Sequence, residues 1–191
     1  MKVIVISEQE KFEKDKIAHG LQVNKEDILR IDPVFTDETC VNGTRGETGC
    51  FKAHQKAWQL CGMQEGEKCM VLERDWTIGN LDPSEVHKRI ESGAQNENDY
   101  HLLGHCDSFF CGHAYIVKKD LATKMAEIDV CDAQHAVDVY MNFKCLGEEI
   151  SCGREEHPTM PGCFGEGVIQ QDRVTTSGMH DAHNKMNAEY K

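Results

Sequence analysis

The sequence predicts an α/β fold: a single domain with a mixed, mostly parallel sheet and helices on both of its faces. Three observations predict it. Strand-like and helix-like segments alternate along the chain. The apolar runs Val3–Ile6 and Cys69–Leu72 are continuous, as in strands buried on both faces. At 191 residues the chain suits one good-sized core better than two.

Each element follows in order. Residues 2–7 read as a first buried strand and 10–21 as a polar helix. Ile28 to Ile31 reads as a strand closed by Asp32-Pro33, and 36–46 as a loop with an Asn42-Gly43 turn. The next helix begins with a capping box, Thr44-x-x-Glu47, or with Thr48 as its cap. Cys50, Phe51, His54, Ala57, Trp58 and Cys61 then share one helix face. Residues 68–73 form the next strand. Asp82-Pro83-Ser84-Glu85 is a helix start with proline in the first turn. Strands at 100–103 and 114–117 and helices at 120–128 and 133–143 complete the set. Beyond 150 the glycine-rich, polar composition predicts long loops. The domain is expected to span residues 1–180, with a flexible tail at 181–191.

Composition excludes several classes. A net charge of −12 argues against a general nucleic-acid or anionic-membrane binder. No apolar run approaches a membrane span, and the first one is too short for a signal peptide. The expected location is therefore cytoplasmic, and most of the ten cysteines are expected to be reduced, acting as small apolar residues. A zinc-binding module built on His105, Cys106, Cys111 and His113 ranks last, because the spacing matches no common structural site.

The chemistry centres on Glu73-Arg74-Asp75, where the apolar run 68–72 ends in two acids. Ligands of open α/β sheets bind beyond the carboxyl ends of such strands. Carboxylate oxygens there suit a divalent cation, Mn2+ or Mg2+, bridging a diphosphate. The bland reading is a solvated strand end. His54 reads equally as a core histidine or as a substrate-facing one. Trp58 reads as core, and Trp76 as core or as a platform for a sugar or base.

Gly46-Glu47-Thr48-Gly49-Cys50, His54, Ala57-Trp58 and Val71-Leu72-Glu73-Arg74-Asp75 together resemble the signature of glycosyltransferase family 25, the lipooligosaccharide and collagen galactosyltransferase group. Further pieces follow in order: Asp99 to Gly104, Gly112 to Val117, and Val137-Asp138. The resemblance covers roughly residues 26–143. It implies a GT-A-like domain that moves a hexose, galactose first, from a UDP-sugar to a glycan or other hydroxyl acceptor, with inversion. It further implies a metal at Glu73 and Asp75 with a late histidine, for which His180 is taken as the candidate although the sequence does not pick among His157, His180 and His183. Nucleotide contacts would come from Arg74, Glu47 and His54, and the catalytic base from Asp138 or Asp107.

The chain departs from the pattern where Arg74 replaces the middle acid of Glu-Asp-Asp. It also departs at Ser7 to Lys11, which lacks the Asn-Leu and arginines expected after the first strand. The chain is short for the family as well. The alternative is a catalytically degenerate member that binds a sugar or nucleotide.

Overall fold

The computed structural model describes residues 1–78, 81–105, 113–154, 166–167 and 169–171. Strand β1 (Lys2–Ile6) lies between β2 (Ile28–Ile31) and β3 (Lys68–Glu73) and is parallel to both. Strand β3 pairs antiparallel with β6 (Ala114–Lys118), which pairs antiparallel with β5 (Tyr100–His105). Strand β7 (Cys152–Arg154) runs parallel to β5 at the edge. The order is β2-β1-β3-β6-β5-β7, and β6 alone of these six runs against the rest. Strand β8 (Glu166–Gly167) also pairs with β5, and β4 (Trp76–Thr77) pairs with β9 (Gln170–Gln171).

Side chains of the central strands alternate between two cores, as the two-residue period of a strand requires. Ile4, Ile6, Val71, Tyr115 and Val117 face α2 (Arg45–Met63), α4 (Lys119–Ala126), α5 (Val130–Ala133) and α6 (Val137–Leu146). Val3, Val5, Met70, Leu72 and Ile116 face α1 (Lys14–Leu21) and α3 (Pro83–Gln95). The result is three layers, the α/β arrangement expected from the sequence.

The helix ends form where their chemistry dictates. Thr44 caps α2, its hydroxyl accepting from Glu47 N–H at 3.1 Å. Thr48 instead donates to the Thr44 carbonyl at 2.7 Å and accepts from Val41 N–H. Asp82 caps α3 with Pro83 in the first turn. Gly49 belongs in α2 because a Cβ there would sit 2.3 Å from the Val34 carbonyl oxygen.

Four expectations change. The helix expected at 10–21 starts at Lys14, preceded by a 3-10 turn at Gln9–Lys11. The helix expected at 133–143 starts only at Val137, as α6: the short α5 ends at Ala133, where Gln134 turns the chain with a left-handed φ of 59°. The region after 150 is not only loop: β7 and β8 extend the sheet at β5. The tail at 181–191 lies outside the described residues.

The fourth change is the cysteines. Cys40 pairs with Cys131, Cys61 with Cys69, and Cys145 with Cys152, at Cα separations of 4.5, 5.8 and 5.6 Å. Cys61 and Cys69 do look apolar in the sequence, one on a buried helix face and one in a strand. The turn between α2 and β3 nevertheless brings their thiols together. Cys50 is free and exposed. Among the described residues no helix is long and apolar enough to cross a membrane.

Candidate functional site

Helix α2 and strand β3 meet at the carboxyl edge of the sheet. Glu47, Cys50 and His54 lie three and four residues apart, so α2 presents them on one face. His54 is 1% exposed and ties the two elements together. Its Nε2 lies 2.9 Å from Glu73 Oε1 and its Nδ1 2.7 Å from the Tyr115 hydroxyl. An ionised carboxylate only accepts, so Nε2–H donates to Glu73 and Nδ1 accepts from Tyr115 O–H. The imidazole also stacks on Tyr115, with centroids 5.7 Å apart and planes 21° apart. Of the two readings the burial fits the core histidine, with its ring held by two side chains.

Burial would raise the Glu73 carboxyl. The hydrogen bond from His54, and then electrostatic attraction from His54, His113 and Arg74, outweigh that and hold it below the ordinary range. Asp75, 5% exposed, follows in the turn to β4. Asp138 sits in the first turn of α6 and accepts from Val139 N–H at 2.8 Å. With His54, Trp58, Tyr100, Tyr115 and Met141 it lines a closely packed recess with no room for a water molecule. Burial first, then the charges of Asp138 and Glu73, push the Tyr100 phenol well up.

Solvent reaches Cys50, yet dense protein surrounds it. That desolvation, then the charges of Glu73, Asp138, Asp75 and Glu47, hold its thiol well above the ordinary range. Four carboxylates therefore act on one point. One oxygen of Glu47, Oε2, is buried and has no hydrogen-bond partner among the described residues. Among the described residues no three of these carboxylates have oxygens within 4.8 Å of one another; the grouping found at this point is Cys50, His54 and Glu73.

Arg74 points elsewhere. Its Nη1 lies 2.8 Å from both carboxylate oxygens of Glu8, and both side chains are mostly covered. For Glu8, burial raises the carboxyl. A backbone hydrogen bond and the charges of Arg74 and Lys11 prevail and lower it. Beyond the end of β1 a small recess of about 20 Å³ is lined by Ser7, Lys11, Phe12, Lys16, Arg74 and Trp76 among others.

The structure thus brings together Glu47, His54, Glu73 and Asp138 and adds two residues that the sequence reading did not assign to the site, Cys50 and Tyr115. The four-residue spacing of Cys50 and His54 on one helix face was the available signal for Cys50. Trp58 is core, fully buried. Trp76 is also core: it packs in the second cluster, over Gly20. Asp107, His157, His180 and His183 lie outside the described residues, as do Cys106 and Cys111. His113 is buried and its Nε2–H donates to the Ile169 carbonyl at 2.8 Å.

No protein-family model and no curated protein matches the chain. Among solved structures it is similar to a cytidylyltransferase from Leptospira borgpetersenii serovar Hardjo-bovis, at 12% identity and a TM-score of 0.42. That match covers 82% of this chain and 58% of the other, so this chain spans well under two thirds of that protein's length. It is also similar to A197 from STIV, at 11% identity and a TM-score of 0.41, over 80% of each chain.

Proposed function

We propose that this chain is a nucleotide-sugar-dependent hexosyltransferase, galactose being the sugar first implied, acting on a glycan or other hydroxyl acceptor with inversion. What supports the reading is the acidic end of β3, Glu73 and the buried Asp75, with Asp138 in the recess that His54 also lines, where the resembling segments also fall. In this reading Glu73 and Asp75 hold a divalent cation, whose charge stabilises the leaving diphosphate. His54 fixes the Glu73 carboxylate in place. Asp138 takes the acceptor hydroxyl proton as that oxygen bonds to the anomeric carbon, while the bond to the diphosphate oxygen breaks with its electron pair. Lys11, Lys16 and Arg74 supply positive charge beside the nucleotide, Arg74 by exchanging Glu8 for phosphate.

The test is calorimetric titration of UDP with manganese into wild type and Asp75→Asn, with donor hydrolysis followed in parallel. Metal-dependent binding lost in Asp75→Asn supports the reading. Equal affinity in the variant, or in excess chelator, ends it. The second reading is a binding protein without turnover. It is favoured by Arg74, which stands where the family has an acid and is held by Glu8; binding without donor hydrolysis would select it.

The three disulfides among the described residues also bear on location. Such bonds persist in oxidising compartments, so they speak for one of these over the cytoplasm expected from the sequence.

A further inference from the structure

The geometry points to a metal site of a different character at the junction of α2 and β3: Cys50, His54 and Glu73 as three ligands of a zinc-class divalent ion, with the fourth position open. The Cys50 sulfur, a ring nitrogen of His54 and a carboxylate oxygen of Glu73 all lie within 4.8 Å of one another. Tetrahedral zinc with sulfur, nitrogen and oxygen ligands needs neighbouring ligand atoms about 3.3–3.7 Å apart. The 2.9 Å separation of His54 Nε2 and Glu73 Oε1 needs to open by less than about 1 Å to reach that value, and the sulfur already lies within 4.8 Å of a ligand atom of each.

The ligand set is informative. One thiolate, one imidazole and one carboxylate select a borderline-soft ion over Mg2+, which prefers oxygen alone. The helix supplies two ligands four residues apart, and the strand end supplies the third. A second-shell partner is in place: when Nε2 gives up its proton to take the metal, the ring proton moves to Nδ1, which then donates to the Tyr115 hydroxyl at 2.7 Å and is oriented by it. Glu47, one turn before Cys50, offers a buried oxygen without a hydrogen-bond partner among the described residues. Solvent reaches the site at Cys50, so an ion can enter there and the open position can take a water or a substrate oxygen. Glu38, Cys40 and Cys131 also cluster, but both of those thiols are consumed in a disulfide. The site shares Glu73 with the reading above but does not depend on it, because it draws on neither Asp75 nor a nucleotide.

The experiment is cobalt titration of the intact, disulfide-bonded protein after removal of metal by chelator, with zinc added last. The expected result is one equivalent bound, a thiolate-to-cobalt charge-transfer band in the near ultraviolet, visible bands of a four-coordinate ion, and displacement by zinc. Cys50→Ser, at an exposed position that tolerates the change, loses the charge-transfer band. Tyr115→Phe keeps it with affinity lowered about 10- to 100-fold. Asp75→Asn changes neither. A wild type without the band, a band that survives Cys50→Ser, cobalt that zinc fails to displace, or a band lost in Asp75→Asn each overturns the assignment. Failure here with Asp75-dependent UDP binding intact removes the zinc site alone; the converse removes the transferase reading alone.

Discussion

His54 and Glu73 stand 19 residues apart in sequence and 2.9 Å apart in space, the histidine buried and the carboxylate at the end of the strand beneath it. The pair fixes α2 to β3 where all the candidate chemistry lies. Because the folded-state pKa of Glu73 lies below its ordinary value of 4.5, its ionised form stabilises the fold. That contribution is complete above pH 4.5 and is lost as pH falls through the lowered value. Glu73→Gln is expected to melt below wild type at pH 7, by an amount set by a lost buried hydrogen bond, about 1–3 kcal/mol. The gap closes progressively below pH 4.5, as thermal melts across pH 3–7 will show.

Glu8 and Arg74 form a two-oxygen contact between the end of β1 and the end of β3. Glu8→Ala and Arg74→Ala should each destabilise, and the double variant by less than their sum. A coupling energy of about 1 kcal/mol is expected from a denaturant-melt cycle. Arg74→Asp places two acids in contact and is expected to be worse than Arg74→Ala.

Cys40 and Cys131 are 91 residues apart, so their bond removes much of the freedom of the unfolded chain. Chain-entropy scaling gives about 4–5 kcal/mol for such a loop, against about 2–3 kcal/mol for the two short ones. The Cys40→Ser/Cys131→Ser variant is expected to lose about 10 °C in Tm, and more than a variant lacking Cys145–Cys152. Mass measurement of the denatured, unreduced wild type should show at least six hydrogens missing.

Gly49→Ala gains helix propensity of about 1 kcal/mol yet drives a methyl into the Val34 carbonyl, which belongs to backbone and cannot rotate away. Overpacking of that sort costs about 1–3 kcal/mol or more. The net expectation is a Tm lowered by roughly 2–8 °C, read by calorimetry.

Asp138→Asn tests the base. The half-buried amide keeps the shape of the carboxylate, so stability and UDP affinity should stay near wild type. Sugar transfer should fall about 100- to 10,000-fold. Transfer at the wild-type rate would move the base elsewhere.

The strands and capped helices were legible in the sequence because local chemistry defines them: Asp82-Pro83 starts α3, and the apolar run before Glu73 is β3. The acidic strand end was legible for the same reason. What was not legible depends on distant segments meeting. Tyr115 reaches His54 only because β6 pairs with β3, and no spacing along the chain encodes that. Cys40 meets Cys131 across 91 residues, while Cys61 and Cys69 carry the same apolar signature whether paired or free. The break at Gln134 was missed because glutamine seldom adopts the left-handed conformation.

The long disulfide also changes the connectivity of the molecule. Residues 40–131 form a closed covalent ring, and β3, β6 and β5, the three adjacent strands in the middle of the sheet, all belong to it. Glu47, Cys50, His54, Glu73, Asp75 and Tyr115 lie on the ring, whereas Asp138 lies just outside it. One peptide bond cut anywhere in the ring opens a circle and does not sever the protein. Both fragments stay joined through Cys40–Cys131, and the sheet still aligns His54 with Glu73. The two elements that meet at the candidate site therefore resist separation by a single protease cut, a robustness that the backbone alone does not provide.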